Sequence, residues 1–343
     1  MKVALITDTH FGARNDNQVI QEHINQFLGG VFFPYLEEHN IKTVIHLGDL
    51  MDKRKSVSFL TLNNLRHNFM NQLHDNSIET HILVGNHDSY YKNTLKLNSV
   101  AELYGQSPLI KVYETAQTVS IGGLSIFLLP WLCSDNDYDS YIAMDKTDAK
   151  IAMGHLELSG YLMFKGMRST HGLERSDFLK FDKVFSGHFH VKNDDGHIYY
   201  LGTPYEMMWS DYNTERGFHI FDTETLELEF IKNPNVLFHK IYYTEGLEID
   251  YNAYGNTFVR LIVSEKQDPY EFDSVVEQLY AVNPAQLSII EDFDRIEDET
   301  ELEGTEDTVT IISNHVTNLS TDLDKTQLDK MLRELYLEAV SVE

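Results

Sequence analysis

The chain has 343 residues, of which 42% are hydrophobic, 24% charged and 12% aromatic. This length favours about two domains, and the composition excludes a mainly disordered chain, a collagen-like repeat and a small disulfide scaffold. Cys133 is the only cysteine, so neither an internal disulfide nor a zinc site built from cysteines is available. No apolar run is long enough to span a bilayer and the N-terminus lacks a secretory pattern, so we predict a cytoplasmic protein with no membrane partner.

The net charge of −27 comes from 27 basic and 54 acidic residues. A charge of this sign repels the phosphates of nucleic acids, but it is unevenly distributed. Residues 1–221 hold 26 acidic and 19 basic residues, whereas residues 222–343 hold 28 and 8. Bound divalent cations would offset the acidic charge further at a reaction centre. The net charge alone therefore does not exclude a nucleic-acid substrate.

The first two thirds of the chain alternate short apolar runs with longer amphipathic stretches. Residues 18–38 and 58–74 have the spacing of amphipathic helices. The runs that we predict to be buried strands are residues 3–6, 43–47, 81–84, 151–153 and 183–185. Hairpins are predicted around Gly122-Gly123 and around Thr223-Glu224. This alternation predicts an α/β fold.

The pattern changes after residue 233, so we predict one domain over residues 1–233 and a smaller one over residues 234–290. Strand-like runs at 240–243 and 258–263 and a helical stretch at 271–280 support the smaller domain. Residues 291–307 hold ten acidic residues and one basic residue, which indicates a solvated acidic linker. Residues 308–343 regain helical spacing, with Asp324 as the expected N-cap. One face of this helix carries Leu328, Met331, Leu332, Leu335 and Ala339.

Polar residues follow each of the five predicted strands. In an α/β sheet such residues gather beyond the carboxyl ends of the strands, so we expect five loops to converge. The loops supply oxygen and imidazole nitrogen but no sulfur, from Asp8, His10, Asp49, Asn86, His155, His188 and His190. Seven ligands exceed what one zinc ion needs and suit two metals that share a bridging carboxylate. Two ions roughly 3.5 to 4 Å apart clamp the oxygens of a displacement at phosphorus, so phosphoester hydrolysis is the expected chemistry.

Glycine precedes the polar group in four of the five loops. These glycines are Gly48, Gly85, Gly154 and Gly187. We expect each of them to let the backbone turn tightly as it leaves its strand.

Five short segments, in this order, resemble the calcineurin-like metallophosphoesterase superfamily. They are Asp8-Thr9-His10, Gly48-Asp49, Gly85-Asn86-His87-Asp88, Gly154-His155 and Gly187-His188-Phe189-His190. Within the superfamily, residues 48–55, 87–93, 154–172 and 201–204 are similar to nuclease subunits of the SbcCD type, and in particular to the recombination endonuclease subunits of T-even-like phages. The resemblance implies an α/β metallophosphoesterase sandwich of two mixed β-sheets flanked by helices, with a smaller α+β capping domain.

The resemblance also implies a role for each polar residue. Asp8, His10 and His190 would hold one divalent ion. Asn86, His155 and His188 would hold the second, with Asp49 as the bridge. The ions in that family are usually Mn²⁺, with Mg²⁺ as the alternative. His87 would protonate the leaving oxygen, and Asp52 would hold and charge-stabilise the His87 imidazole. Asp52 is read equally well as a helix cap or as a charge partner of the basic run that follows it.

Basic residues in the loops beside these motifs are candidate contacts for DNA phosphates, with an ordinary solvated surface as the alternative. They are Arg14, Lys53, Arg54, Lys55 and Lys92, together with Lys165 and Arg168. We interpret His46 and His81 as core histidines because they lie inside predicted strands.

We therefore predict a manganese-dependent DNA exonuclease and endonuclease of recombination and repair. The resemblance implies a coiled-coil ABC-type ATPase partner of the SbcC type, docked through the C-terminal helix, and a homodimer of nuclease subunits. A phosphoprotein phosphatase or a small-nucleotide phosphodiesterase is the alternative. Related phosphatases have Arg-Gly after the Gly-Asp-x-x-Asp motif and Glu after Asn-His, whereas this chain has Lys53-Arg54 and Asp88. A non-catalytic adaptor would have lost ligands, and none of the seven is missing.

Overall fold

Residues 1–291 are described by a computed structural model, together with Val316, Lys325, Leu328, Met331 and Leu332. Two six-stranded sheets dominate the fold. In spatial order, the first sheet consists of β16 (Leu228–Lys232), β15 (Gly217–Asp222), β1 (Lys2–Ile6), β2 (Thr43–His46), β3 (Glu79–Leu83) and β6 (Ile110–Tyr113). The second consists of β13 (Asn193–Asp194), β14 (Ile198–Tyr200), β12 (Lys183–Gly187), β9 (Ile151–His155), β8 (Leu124–Leu129) and β7 (Gln117–Ile121).

Both sheets are mixed: antiparallel strands lie at one edge of the first sheet and at both edges of the second. β1, β2, β3 and β6 are parallel to one another, and so are β8, β9, β12 and β14. The five predicted strands and both predicted hairpins are confirmed, with ends that differ by one or two residues. The predicted sandwich of two mixed sheets is therefore confirmed.

The core between the sheets follows from the alternation of side chains along each strand. In β1, Val3 and Leu5 face the second sheet, where they join a cluster that includes Met153 and Phe185. Ala4 and Ile6 point the other way, into a cluster under the helices. Because successive side chains point to opposite faces, a strand that is buried on both faces is apolar throughout.

The helices cover the outer faces of the two sheets. They are α1 (Ala13–Asp16), α2 (Gln18–Phe27), α3 (Phe33–Glu38), α4 (Phe59–Leu65), α5 (Asn71–Asp75), α6 (Ser99–Tyr104) and α7 (Asp137–Lys146). The predicted helices at residues 18–38 and 58–74 are confirmed, although π-helical turns at Leu28–Phe32 and Arg66–Met70 interrupt them. The first of these helices begins at Asn17, whose side chain accepts hydrogen bonds from the backbone N–H groups of Val19 and Ile20.

The smaller unit is a third sheet of three parallel strands, β17 (Phe238–Tyr243), β18 (Phe258–Val263) and β19 (Gln286–Ile290), with α8 (Pro269–Ala281) packed on it. The predicted strands and helix of this region are confirmed, and β19 is an addition. The division at residues 233 and 234 stays a prediction. Glu206 of the larger unit accepts hydrogen bonds from the backbone N–H groups of Leu237 and Phe238, at 2.7 and 2.9 Å, and so joins the two units.

Two small hairpins complete the described fold, β4 (Ser89–Tyr91) with β5 (Thr94–Asn98) and β10 (Leu162–Phe164) with β11 (Met167–Arg168). Most of the predicted acidic linker lies outside the described residues, as do Asp324, Leu335 and Ala339. Val316 is buried and Met331 is 53% exposed. Among the helices that the structure describes, none is long and apolar enough to cross a membrane.

Phe32→Ala tests the aromatic core under the helices. The Phe32 side chain is fully buried, and its ring centroid lies 4.9 Å from that of Phe218 and 5.2 Å from that of Phe33. We expect the substitution to lower the free energy of unfolding by about 3–5 kcal/mol because it leaves a cavity. Tyr270 is 86% exposed, so Tyr270→Ala should change stability by no more than about 0.5 kcal/mol. Urea unfolding measures both, and equal losses would contradict the assignment of Phe32 to the core.

Candidate metal centre

The carboxyl ends of five strands from two sheets meet at one place. The seven predicted ligands lie there, each just beyond or at the end of β1, β2, β3, β9 or β12. Ligand atoms within 4.8 Å of one another form three groups, which are Asp8, His10 and His190; His10, Asp49 and His87; and Asp49, His155 and His188. His10 is shared by the first two groups and Asp49 by the last two. Asp49 Oδ2 lies 3.8 Å from His10 Nε2 and 3.3 Å from His155 Nε2, so this carboxylate lies between the two sets of ligands.

The ligand atoms around His10 leave room for an ion between them. The Nε2 atom of His10 is 3.9 Å from Asp8 Oδ1 and 3.8 Å from Asp49 Oδ2. These separations are too long for hydrogen bonds, but they suit atoms that each lie about 2.1 Å from one metal. Both ring nitrogens of His10 and the Nδ1 of His190 are buried without a hydrogen-bond partner in the described part of the chain. Buried polar atoms of this kind fit a bound cation.

The set of Asn86, His155 and His188 is held together by hydrogen bonds. Asn86 Oδ1 accepts from His155 Nε2 at 2.9 Å and from His188 Nδ1 at 3.1 Å. His155 Nε2 is also 3.3 Å from Asp49 Oδ2. The other nitrogen, His155 Nδ1, donates to the Leu47 carbonyl at 2.8 Å, which fixes the ring and aims Nε2 at the centre. Carboxylate, amide and imidazole atoms therefore surround two positions that fit divalent cations.

Opposing influences set the protonation of two of the histidines. Burial lowers the pKa of His10, but the carboxylates of Asp52 and Asp49 outweigh burial and raise that pKa to about 9. Burial likewise lowers the pKa of His155, and the Asp49 carboxylate outweighs it to give a pKa of about 9. Without metal, both rings are therefore protonated on both nitrogens and positively charged at neutral pH.

His188 and His190 are neutral. Burial, with the charge of His155, lowers the pKa of His188 to about 3. Burial, with the charge of His10, also lowers the pKa of His190 well below its ordinary value. Burial would raise the pKa of Asp49, but the charges of His155 and His87 hold it well below its usual range. Asp49 is therefore ionised and the two neutral rings offer lone pairs, as metal ligands must.

Four of the ligands have a strained backbone. The φ angles are 50° at Asp8, 40° at His10, 55° at Asp49 and 87° at His188. Residues other than glycine rarely adopt this left-handed region, and each instance costs on the order of 1–3 kcal/mol. Such residues persist where the surroundings hold them and they concentrate at functional sites.

The expectation that four glycines permit tight turns is correct only for Gly48. Its φ is 102°, and a Cβ there would lie 2.5 Å from His155 Nδ1. Gly85, Gly154 and Gly187 do not have positive φ. They are required because other groups come close, since a Cβ on Gly85 would overlap the Asp49 carboxylate. Gly85 and Gly187 therefore make room for the ligands Asp49 and Asp8, whereas Gly154 makes room for Leu156 and the Leu129 carbonyl.

His87 is placed beside the centre, and Asp52 holds it differently from our expectation. His87 Nδ1 donates to the backbone carbonyl of Asp52 at 2.6 Å, and the His87 backbone N–H donates to Asp49 Oδ1 at 2.7 Å. The Asp52 carboxylate lies instead 3.5 Å from His10 Nδ1. The Asp52 side chain therefore does not hold His87 as we expected. The Asp52 backbone carbonyl orients the His87 ring instead. Because Nδ1 is engaged in this hydrogen bond, Nε2 is the ring nitrogen that a further partner can contact.

Two buried residues that support the ligands were missed in the sequence. Asp88 accepts from the backbone N–H groups of Met51 and Gly85, at 3.0 and 2.9 Å, and so ties two ligand loops together. Burial, together with the nearby Asp49 charge, raises the pKa of Asp88 to about 6. Arg216 donates to the His190 carbonyl at 2.5 Å and forms a buried ion pair with Asp211. The position of Asp88 beside His87 was a usable signal, whereas nothing in the local sequence marks Arg216.

A cavity of about 780 Å³ opens over the ligands. Of the predicted DNA contacts, exposed Arg14 lines this cavity, and so does Arg168. Lys53 pairs with Asp16 at 3.7 Å and lines a smaller neighbouring cavity. Arg54 is partly buried, whereas Lys55, Lys92 and Lys165 are exposed. His46 and His81 are buried core residues, hydrogen-bonded to Thr9 and Tyr113, as expected.

Residues 1–192 match the family model described as calcineurin-like phosphoesterase, and the chain belongs to this family. It is thus a metal-dependent phosphoesterase. The chain is 34% identical to exonuclease subunit 1 of Enterobacteria phage T4, over 99% of both chains. It is 25% identical to the DNA double-strand break repair protein Mre11 of Nanoarchaeum equitans, over 64% of this chain and 66% of that protein. A solved archaeal phosphodiesterase aligns with a TM-score of 0.34 and 15% identity, over 68% of this chain and all of its own, a likeness too weak to carry an inference.

Metal binding should release protons. At pH 7 the metal-free protein carries protons on His10 and His155, whose pKa values of about 9 lie above the pH, and both rings must lose them to bind a cation. The affinity for Mn²⁺ should therefore rise by about ten- to a hundredfold per pH unit between pH 7 and 8 and level off above pH 9. Calorimetric titration in two buffers of different ionisation enthalpy counts the protons. A release close to zero at pH 7 would contradict the protonation assigned to these rings.

Asp49→Asn should weaken metal binding more than Asp8→Asn. Asp49 lies in two ligand groups and Asp8 in one, so the first substitution affects both ions and the second only one. Asparagine tolerates the left-handed backbone of both positions, which makes the pair well matched. Mn²⁺ titration with elemental analysis of each variant measures the occupancy. Equal losses of metal in the two variants would rule out a bridging role for Asp49.

Proposed function

We propose that this protein is the nuclease subunit of a recombination and repair complex and that it hydrolyses DNA phosphodiester bonds with two divalent ions, Mn²⁺ foremost. The observation that carries the proposal is the position of the Asp49 carboxylate between His10 and His155, with His87 beside Asp49 and His10. The similarity over 99% of the chain to a phage protein named exonuclease subunit 1 supports DNA as the substrate. Such an enzyme would work in the cytoplasm, that of the host if the chain is phage-encoded.

The ions, when bound, would polarise the phosphate and lower the pKa of the attacking water. Asp8, His10 and His190 would hold one ion and Asn86, His155 and His188 the other. His87 would donate a proton from Nε2 to the leaving oxygen, because Nδ1 is engaged with the Asp52 carbonyl. Arg14 at the edge of the cavity would contact a neighbouring DNA phosphate.

His87→Ala separates proton transfer from metal binding. The substitution should lower the single-turnover rate of DNA cleavage by about 10²- to 10⁴-fold, the usual contribution of a positioned general acid, and leave the metal content nearly unchanged. The matched control is His81→Ala, which removes a buried imidazole outside the centre. Loss of metal in the His87 variant would show that His87 is a metal ligand. An unchanged cleavage rate would show that His87 takes no part in the reaction.

We propose an ATPase subunit of the coiled-coil ABC type as the partner, bound by the C-terminal segment. The residues of that segment that the structure describes include the exposed Met331, an apolar side chain suited to a partner surface. The acidic excess of residues 222–343 leaves few bases to contact DNA, which supports a partner that supplies affinity.

Truncation after Asp307 tests this assignment. The shortened chain should still cleave short single strands with Mn²⁺, because the ligands lie within residues 8–190. It should lose co-purification with the ATPase and the ATP-stimulated digestion of duplex DNA. Assembly of the truncated chain with the partner at unchanged affinity would place the docking surface elsewhere.

A homodimer of nuclease subunits remains part of the proposal. Phe59 is 93% exposed and its neighbour Leu60 is 43% exposed, both on α4. Contiguous exposed apolar patches mark association surfaces, and two neighbouring exposed apolar side chains on one helix can form part of such a patch. This helix is therefore the surface that we propose for the dimer.

A further inference from the structure

The cavity over the metal ligands has an apolar part that phosphate chemistry does not use. Five of the candidate ligands line the cavity together with His87, and these are His10, Asp49, Asn86, His188 and His190. The lining also includes six apolar or aromatic side chains, which we call the apolar wall: Trp131, Met163, Phe164, Met167, Met207 and Met208. A phosphodiester exposes mainly oxygen, so it gains little from contact with indole and thioether surfaces. The wall therefore calls for an apolar part of the substrate.

The hairpin of β10 and β11 presents half of this wall. Its strands are fixed to the loops around them, because the Leu162 backbone N–H donates to Asn193 Oδ1 at 3.3 Å and Arg168 donates to the Gly160 carbonyl at 2.6 Å. Met167 is nevertheless 40% exposed. An ordered hairpin that holds an apolar side chain toward a cavity offers a preformed contact surface.

The wall begins directly beside the second set of ligands. The ring centroid of Trp131 lies 4.9 Å from that of His188 and 6.0 Å from that of His155. A group joined to a phosphate at the metal centre by one sugar therefore reaches the wall. In a polynucleotide that group is the base.

We propose that the apolar wall binds the unstacked nucleobase next to the scissile phosphate. This inference rests on the DNA-cleaving function proposed above and specifies how its substrate is held. Aromatic and thioether surfaces stack on every base, so the contact favours no sequence. A cavity of about 780 Å³ has the size of a small-molecule cleft. The base must therefore leave its duplex partner before its phosphate reaches the ligands.

The test uses end-labelled single strands that carry one tetrahydrofuran abasic residue at a known position. Single-turnover cleavage with Mn²⁺ is read at each linkage on a sequencing gel and compared with the intact strand. For the wild-type protein, cleavage at the linkage beside the abasic residue should fall by about tenfold, the effect of one lost base stack. In the double variant Met167→Ala, Met208→Ala the ratio of intact to abasic rates should approach one.

Two controls accompany the double variant. Met167→Leu, Met208→Leu keeps the apolar volume and should keep the wild-type ratio. Leu179 is 61% exposed and does not line the cavity, so Leu179→Ala should keep it as well. Elemental analysis verifies that every variant holds its metal.

DNA cleavage by the wild type with equal rates beside intact and abasic residues would overturn this inference alone. A double alanine variant that keeps the wild-type ratio would also overturn it. Absence of metal-dependent DNA cleavage by the wild type would overturn the proposed function and this inference with it.

Discussion

The structure depends on one constraint, which is the placement of the ionised Asp49 carboxylate in a buried space between two sets of ligands. One oxygen of this carboxylate accepts the His87 backbone N–H and the other faces His10 and His155. A buried charge is tolerated only when it is paired and hydrogen-bonded. The surrounding imidazoles meet that requirement in the metal-free protein, and cations would meet it in the active one. The same charge therefore organises both states.

The arrangement of the two sheets places the ligands around this carboxylate. Each sheet contributes strands that end at the centre, so ligands that are far apart in the sequence meet without a long loop. The left-handed backbone at four ligands is tolerated because the positions are fixed on several sides. Asp88 joins the loops that follow β2 and β3, and the ion pair of Arg216 and Asp211 holds the chain at His190. The cost in backbone strain is offset by these buried supports.

Much of the architecture could be predicted from the sequence because apolar runs and helical spacing are local signals. The clustering of the seven candidate ligands could be predicted for a similar reason, since each lies at the end of a strand or within four residues of it. The contact between Asp52 and His87 could not be predicted, because it uses the Asp52 backbone carbonyl, a group that every residue has. Three of the glycines were misread for a related reason: the groups that crowd Gly85 and Gly187 come from distant parts of the chain. The role of Arg216 likewise depends on a partner in a different loop, which no local pattern reveals.

The buried carboxylate of Glu206 joins the two units of the protein, and this bond has a mechanical consequence. Glu206 accepts hydrogen bonds from Leu237 and Phe238 at the start of β17. Met207 and Met208, which follow Glu206 in the sequence, line the cavity. A few residues further on, Asp211 is anchored by Arg216. The segment from Glu206 to Asp211 is thus held in place by buried contacts at both of its ends. The position of Met207 and Met208 in the cavity therefore depends on how the small sheet is attached to the larger unit.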